Sequence, residues 1–105
     1  MKLKQLQTSV TEFCRENNLE SPIEHKVLDL VSEVGEVAKE ILKMTNYGRK
    51  PLKFQKELAP EIGDVLYSLI VVANHFEIDL EEALEMVLEK YKKRLEKGSP
   101  GSEFE

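Results

Sequence analysis

The sequence predicts an all-α domain of four helices, and three observations carry that expectation. Apolar residues recur at three- and four-residue spacing in four separate segments. Two short clusters, Ser21-Pro22-Ile23-Glu24 and Asp79-Leu80-Glu81-Glu82, read as helix starts. The composition is 33% charged and 41% apolar with no Trp, which suits amphipathic helices better than a β-sandwich or a disordered chain.

The first helix is expected from the series Leu3, Leu6, Val10, Phe13 and Cys14, ending before the turn-forming pair Asn17-Asn18. Ser21 to Glu24 reads as a capping box with Pro22 at the first helical position, so a second helix should run from there to about Met44. Its apolar residues Val27, Leu30, Val31, Val34, Val37, Ala38, Ile41 and Leu42 fall on one arc, and Asp29, Glu33, Glu36 and Glu40 form a separate stripe. Thr45 to Pro51 has loop chemistry and carries Tyr47, Arg49 and Lys50. A third helix is expected over about 57–76, provided Pro60 lies in its first turn, where no N–H is needed. From Ile62 to Phe76 it is apolar nearly all round, the pattern of a helix enclosed by neighbours or by another subunit. Asp79 then caps a fourth helix reaching about Lys97.

A chain of 105 residues holds one core, so residues 1–97 are read as one domain. Residues 98–105 read as a cloning scar or tail, since Gly-Ser and Glu-Phe are what two common restriction sites encode. A single cysteine, Cys14, gives no internal disulfide, and no leader pattern is visible, so a cytoplasmic location is expected. The longest apolar run, Val65 to Ala73, falls far short of the roughly 20 residues that span a bilayer. With a net charge of −5 and the basic residues massed only in Lys90 to Lys97, no duplex nucleic-acid partner is expected.

The chemistry lies in two similar segments, Glu33-Val34-Gly35-Glu36 and Glu61-Ile62-Gly63-Asp64. Carboxylates three residues apart share one helix face. If the second and third helices pack side by side, four carboxylates converge, and their repulsion demands protonation or a cation. An all-oxygen donor set selects Mg²⁺, with Mn²⁺ as the alternative. Each motif also places a glycine inside a helix at a cost of about 1 kcal/mol relative to Ala, which suggests close helix approach. Neither His25 nor His75 follows a Glu by three residues, which argues against a di-iron bundle. On the fourth helix Lys90 and Arg94 lie on or beside the apolar arc, where cations ask for anionic partners.

The pattern Glu-x-x-Glu, a gap over residues 37–60, then Glu-x-x-Asp resembles the MazG-like all-α nucleoside triphosphate pyrophosphohydrolases, with matching segments from about Leu6 to Leu95. The resemblance implies a four-helix bundle completed by oligomerisation, as a homodimer or homotetramer. It also implies hydrolysis of a nucleoside triphosphate, with non-standard and deoxy nucleotides among the candidates, to monophosphate and pyrophosphate, a nucleotide-pool house-cleaning role. Carried onto this chain, it makes Glu33, Glu36, Glu61 and Asp64 the Mg²⁺ ligands, with Glu33 or Glu36 as the base that activates water. Lys90 and Arg94 then face the phosphates, and Asn74 and Tyr47 are candidate substrate contacts. Two other readings share these residues: a phosphoribosyl-ATP pyrophosphohydrolase, and a non-catalytic helical oligomerisation or regulatory module.

Overall fold

The computed structural model describes residues 2–98, so the tail assigned to 98–105 lies, apart from Gly98, outside the described residues. The described residues form four helices and no strand: α1 (Leu3–Glu16), α2 (Ile23–Met44), α3 (Leu58–His75) and α4 (Leu80–Glu96). The all-α expectation holds, with every boundary within two residues of its place.

The starts show where local chemistry was read correctly. Asp79 caps α4 as expected, its Oδ1 accepting from the N–H groups of Glu81 (2.9 Å) and Glu82 (3.3 Å). Ser21 does not cap α2. Pro22 itself is the N-cap, with an extended ψ of 149°, and the helix opens one residue later at Ile23 with no side-chain cap. Pro60 occupies the third position of α3, inside the first turn, where its missing N–H costs nothing.

The centre of the chain is the α2–α3 pair, the most extensive helix contact in the fold, with α1 laid on α3. Both pairings are antiparallel: Glu33 of α2 meets Glu61 and Asp64 of α3, while Lys26 and Asp29 lie near Ser68 and Val71. On the other side Gln7 meets Asn74 and Cys14 meets Tyr67. The Tyr67 hydroxyl lies 3.3 Å from the Cys14 sulfur, and its ring packs edge-on against Phe13 at 6.4 Å. That hydrogen bond, and then burial, push the Tyr67 hydroxyl pKa up to about 12.

The end of α3 is tied down by a polar hub. Gln7, 7% exposed, donates from Nε2 to Asn74 Oδ1 (2.9 Å) and to the Ile78 carbonyl (2.8 Å), and its Oε1 accepts from the Leu80 N–H (3.0 Å). Asn74 Nδ2 donates to the Gln7 carbonyl and to Thr11 Oγ1, both at 2.9 Å. Two amides thus fix α1, the end of α3 and the first residue of α4 together.

Very little is buried by one chain. Among the described residues the buried set is Met44, Ile70, Ala73, Gln7 and Ser68. The radius of gyration is 16.9 Å, against about 13 Å for a compact domain of similar length. The expected inward faces stay open: Val31 of α2, Ile62 of α3, and Leu84, Leu88 and Leu95 of α4 are all more than half exposed. Helix α4 rests chiefly on α1 and is not packed into the α2–α3 pair, so one copy does not close a four-helix bundle. The glycines also depart from expectation. A Cβ built on Gly35 or Gly63 would meet nothing within 4 Å, so close approach of α2 and α3 does not explain them.

The hub yields a stability prediction. Asn74→Ala removes three hydrogen bonds and leaves one N–H of the buried Gln7 amide without its partner, so urea denaturation should show a loss of about 1–3 kcal/mol with the helical circular dichroism of the native state retained.

Candidate metal centre

The two acidic motifs are brought together because α2 and α3 are long, adjacent and antiparallel, so residues near the middle of α2 face the first two turns of α3. Glu33, Glu61 and Asp64 each place one carboxylate oxygen within 4.8 Å of the others. Glu33 and Glu61 are half-buried and Asp64 is exposed, leaving the cluster open to solvent on one side. Glu36, one turn beyond Glu33, is exposed and stands outside this trio. The expected set of four is therefore a cluster of three with a fourth carboxylate beside it.

Electrostatics mark the same place. The Glu33 pKa is raised from its ordinary value, first by partial burial, then by the charge of Asp64, followed by Glu61, Glu36 and Asp29. Asp29, on the same stripe of α2, was not singled out as a site residue; its position one turn before Glu33 was the available signal. The ion pair found among the described residues, Lys43 with Glu40 at 3.4 Å, does not involve the trio. Crowded carboxylate oxygens with one open side suit a hard divalent cation, and no sulfur or nitrogen donor competes among the described residues.

A sequence profile described as the MazG nucleotide pyrophosphohydrolase domain matches residues 23–99, which span α2, the loop, α3 and α4. The chain belongs to the MazG family. The chain is similar to the uncharacterised protein YpjD of Bacillus subtilis (strain 168), with 43% identity over 68 residues, or 62% of this chain and 60% of that protein. It therefore matches less than two thirds of that relative's length. Its fold superposes on a Bacillus-conserved MazG protein described as a nucleotide pyrophosphohydrolase, with TM-score 0.73 and 28% identity over 87% of this chain and 90% of the other. A similar match, with TM-score 0.73, 32% identity and coverage of 87% and 95%, links it to the structure of YPJD from Bacillus subtilis, described as a candidate pyrophosphatase.

The remaining site candidates lie elsewhere in this MazG chain. Lys90 and Arg94 are on α4, both over the ring of Tyr91, at 5.2 and 5.7 Å from its centroid. The helix that carries them packs chiefly on α1 and not into the α2–α3 pair that holds the carboxylates. Asn74 is committed to the hub with Gln7 and Thr11, which gives it a structural task at the far end of α3 from the acidic motif. Tyr47 is 62% exposed in the α2–α3 loop. His25 and His75 are exposed, His75 resting edge-on against Phe76. No helix among the described residues is long and apolar enough to cross a membrane.

Metal and proton should compete for the trio. At about a hundredfold excess over its Kd, Mg²⁺ should add about 2.7 kcal/mol of stability, read as a rise in melting temperature that Asp64→Asn abolishes. Because Glu33 has a raised folded-state pKa, its protonation stabilises the metal-free fold below the ordinary value of 4.5 and that contribution is lost as pH climbs through the raised value. The Mg²⁺-induced shift should accordingly shrink on acidification into that range.

Proposed function

We propose that this chain is an Mg²⁺-dependent nucleoside triphosphate pyrophosphohydrolase that releases the nucleoside monophosphate and pyrophosphate. The observation that carries the reading is the carboxylate trio, formed from the two motifs of a MazG family chain by the packing of α2 on α3. Glu33, Glu61 and Asp64 would hold Mg²⁺. When bound, the ion supplies charge neutralisation at the phosphate oxygens and a lowered pKa for coordinated water.

The separation of Glu36 from the trio divides the work. Glu36 is close enough to raise the Glu33 pKa yet exposed and outside the cluster, so it is the carboxylate left to accept the proton of the attacking water. Glu33, crowded and half-buried, is better suited to ligation. Lys90 and Arg94 supply positive charge for the departing pyrophosphate. Since α4 packs on α1 in its own copy, these cations serve the carboxylates of a neighbouring copy in a homo-oligomer. The open apolar stripes of α2, α3 and α4 support that assembly, because a chain burying so few residues lacks the core of a stable monomer.

A screen of natural and damaged nucleoside triphosphates with Mg²⁺ should find pyrophosphate release by at least one. Glu36→Gln should lower kcat by 10²-fold or more, the usual order for a lost general base, while keeping the Mg²⁺ melting shift. Release from no nucleotide would defeat the catalytic reading, whereas release unaffected by Glu36→Gln would defeat only its assigned role. Sedimentation should give at least twice the chain mass.

A further inference from the structure

The loop between α2 and α3 carries features that the metal centre does not use. From Lys43 to Lys56 the sequence has the basic residues Lys43, Arg49, Lys50, Lys53 and Lys56 and no acid, in a chain whose net charge is −5. Lys43 is paired with Glu40. Arg49, Lys50, Lys53 and Lys56 are all exposed and have no ion-pair partner among the described residues. Beside them Tyr47 and Phe54 are 62% and 67% exposed.

This is an ordered presentation and not a slack connector. The Tyr47 N–H donates to the Leu42 carbonyl at 2.7 Å, Gly48 N–H to Thr45 Oγ1 at 3.0 Å, and Lys50 N–H to the Thr45 carbonyl at 2.9 Å. Lys53 N–H returns to the Met44 carbonyl at 3.1 Å, folding the loop back on the end of α2. Three consecutive residues, Asn46, Tyr47 and Gly48, hold left-handed φ values of +47°, +59° and +85°. That conformation costs roughly 1–2 kcal/mol for a residue with a side chain, and a bulky aromatic there is a marked outlier. The hydrogen bonds that impose it set the Tyr47 ring out into solvent.

The loop adjoins the acidic site at its α3 end. It enters α3 at Leu58, whose first turn holds Glu61, and it leaves α2 about 16 Å along the helix from Glu33. A ligand reaching from the carboxylates to this loop would be polyanionic at one end and planar at the other. Exposed aromatic rings take nucleobases by stacking, and unpaired cations take phosphate oxygens.

We propose that the α2–α3 loop is the nucleotide-recognition arm of this site, with Tyr47 stacking on the base and Arg49, Lys50 and Lys53 facing the phosphate chain. This rests on the pyrophosphohydrolase reading and adds the residues that choose and hold its substrate. Phe54 gives a second ring on the same arm. The metal-binding trio and the loop then act separately, the one on chemistry and the other on affinity.

The test uses full-length wild type, Tyr47→Ala, Tyr47→Phe and Arg49→Ala/Lys53→Ala, with the four deoxynucleoside triphosphates and inorganic triphosphate as probes in the presence of Mg²⁺. Tyr47→Ala should raise KM for nucleotides roughly tenfold at little change in kcat, and leave inorganic triphosphate binding as in wild type. Tyr47→Phe should keep KM but abolish the nucleotide-induced quenching of tyrosine fluorescence. Arg49→Ala/Lys53→Ala should weaken both nucleotides and inorganic triphosphate. A turning-over wild type whose KM is indifferent to all three variants overturns the arm alone, as does a KM change accompanied by loss of the oligomer, which would make the loop a subunit contact. A wild type that neither hydrolyses nor binds any probe overturns the functional reading and the arm with it.

Discussion

Mutual repulsion among the oxygens of Glu33, Glu61 and Asp64, held within 4.8 Å of one another, is the constraint on which the rest of this structure turns. Bringing like charges together in a partly desolvated place opposes folding unless a proton or a cation joins them. The Glu33 pKa is raised in keeping with this, first by partial burial and then by the charges of Asp64 and Glu61. The α2–α3 pair is the most extensive helix contact of the chain, and it packs so that the two acidic motifs meet. An arrangement that works against the fold where the fold is best packed is what makes this cluster the candidate site.

Around that pair the protein is thinly built. α1 is tied to α3 by one polar hub and by the Cys14–Tyr67 contact, and α4 leans on α1 with its apolar stripe open. The hub matters because Gln7 and Asn74 leave none of their amide nitrogens idle while fixing where α4 begins. The direction of α4, and with it the position of Lys90 and Arg94, is thereby set by residues far from both. The acidic α2–α3 pair and the cluster of cations in the second half of α4 lie on elements that do not pack together in one copy, and each has an open surface.

Most of the helical frame was legible in the sequence because it rests on local rules: apolar period, the Asp79 cap, and a proline tolerated in a first turn. Ser21 was misread because a capping box presumes that Pro22 is already helical, whereas its extended ψ of 149° makes it the cap. The glycines were misread because an inner-helix glycine signals close approach without saying to what, and nothing among the described residues comes within 4 Å of a Cβ built at Gly35 or Gly63. For Asn74 the decisive partner is Gln7, 67 residues away, beyond any local pattern. Within the acidic site, spacing alone located the four carboxylates, but it could not separate Glu36 from the other three, since that depends on how α2 is rotated against α3. The loop was legible only in part: Tyr47, Arg49 and Lys50 stood out, while Lys53, Phe54 and Lys56 extend the same acid-free run and belong with them.

The claim that the trio is a metal centre is tested most directly by anomalous diffraction from crystals grown with Mn²⁺ in place of Mg²⁺. The account predicts a peak between the carboxylates of Glu33, Glu61 and Asp64, lost in Asp64→Asn. A protein that hydrolyses nucleotide under the same conditions with no peak at those three residues would contradict it.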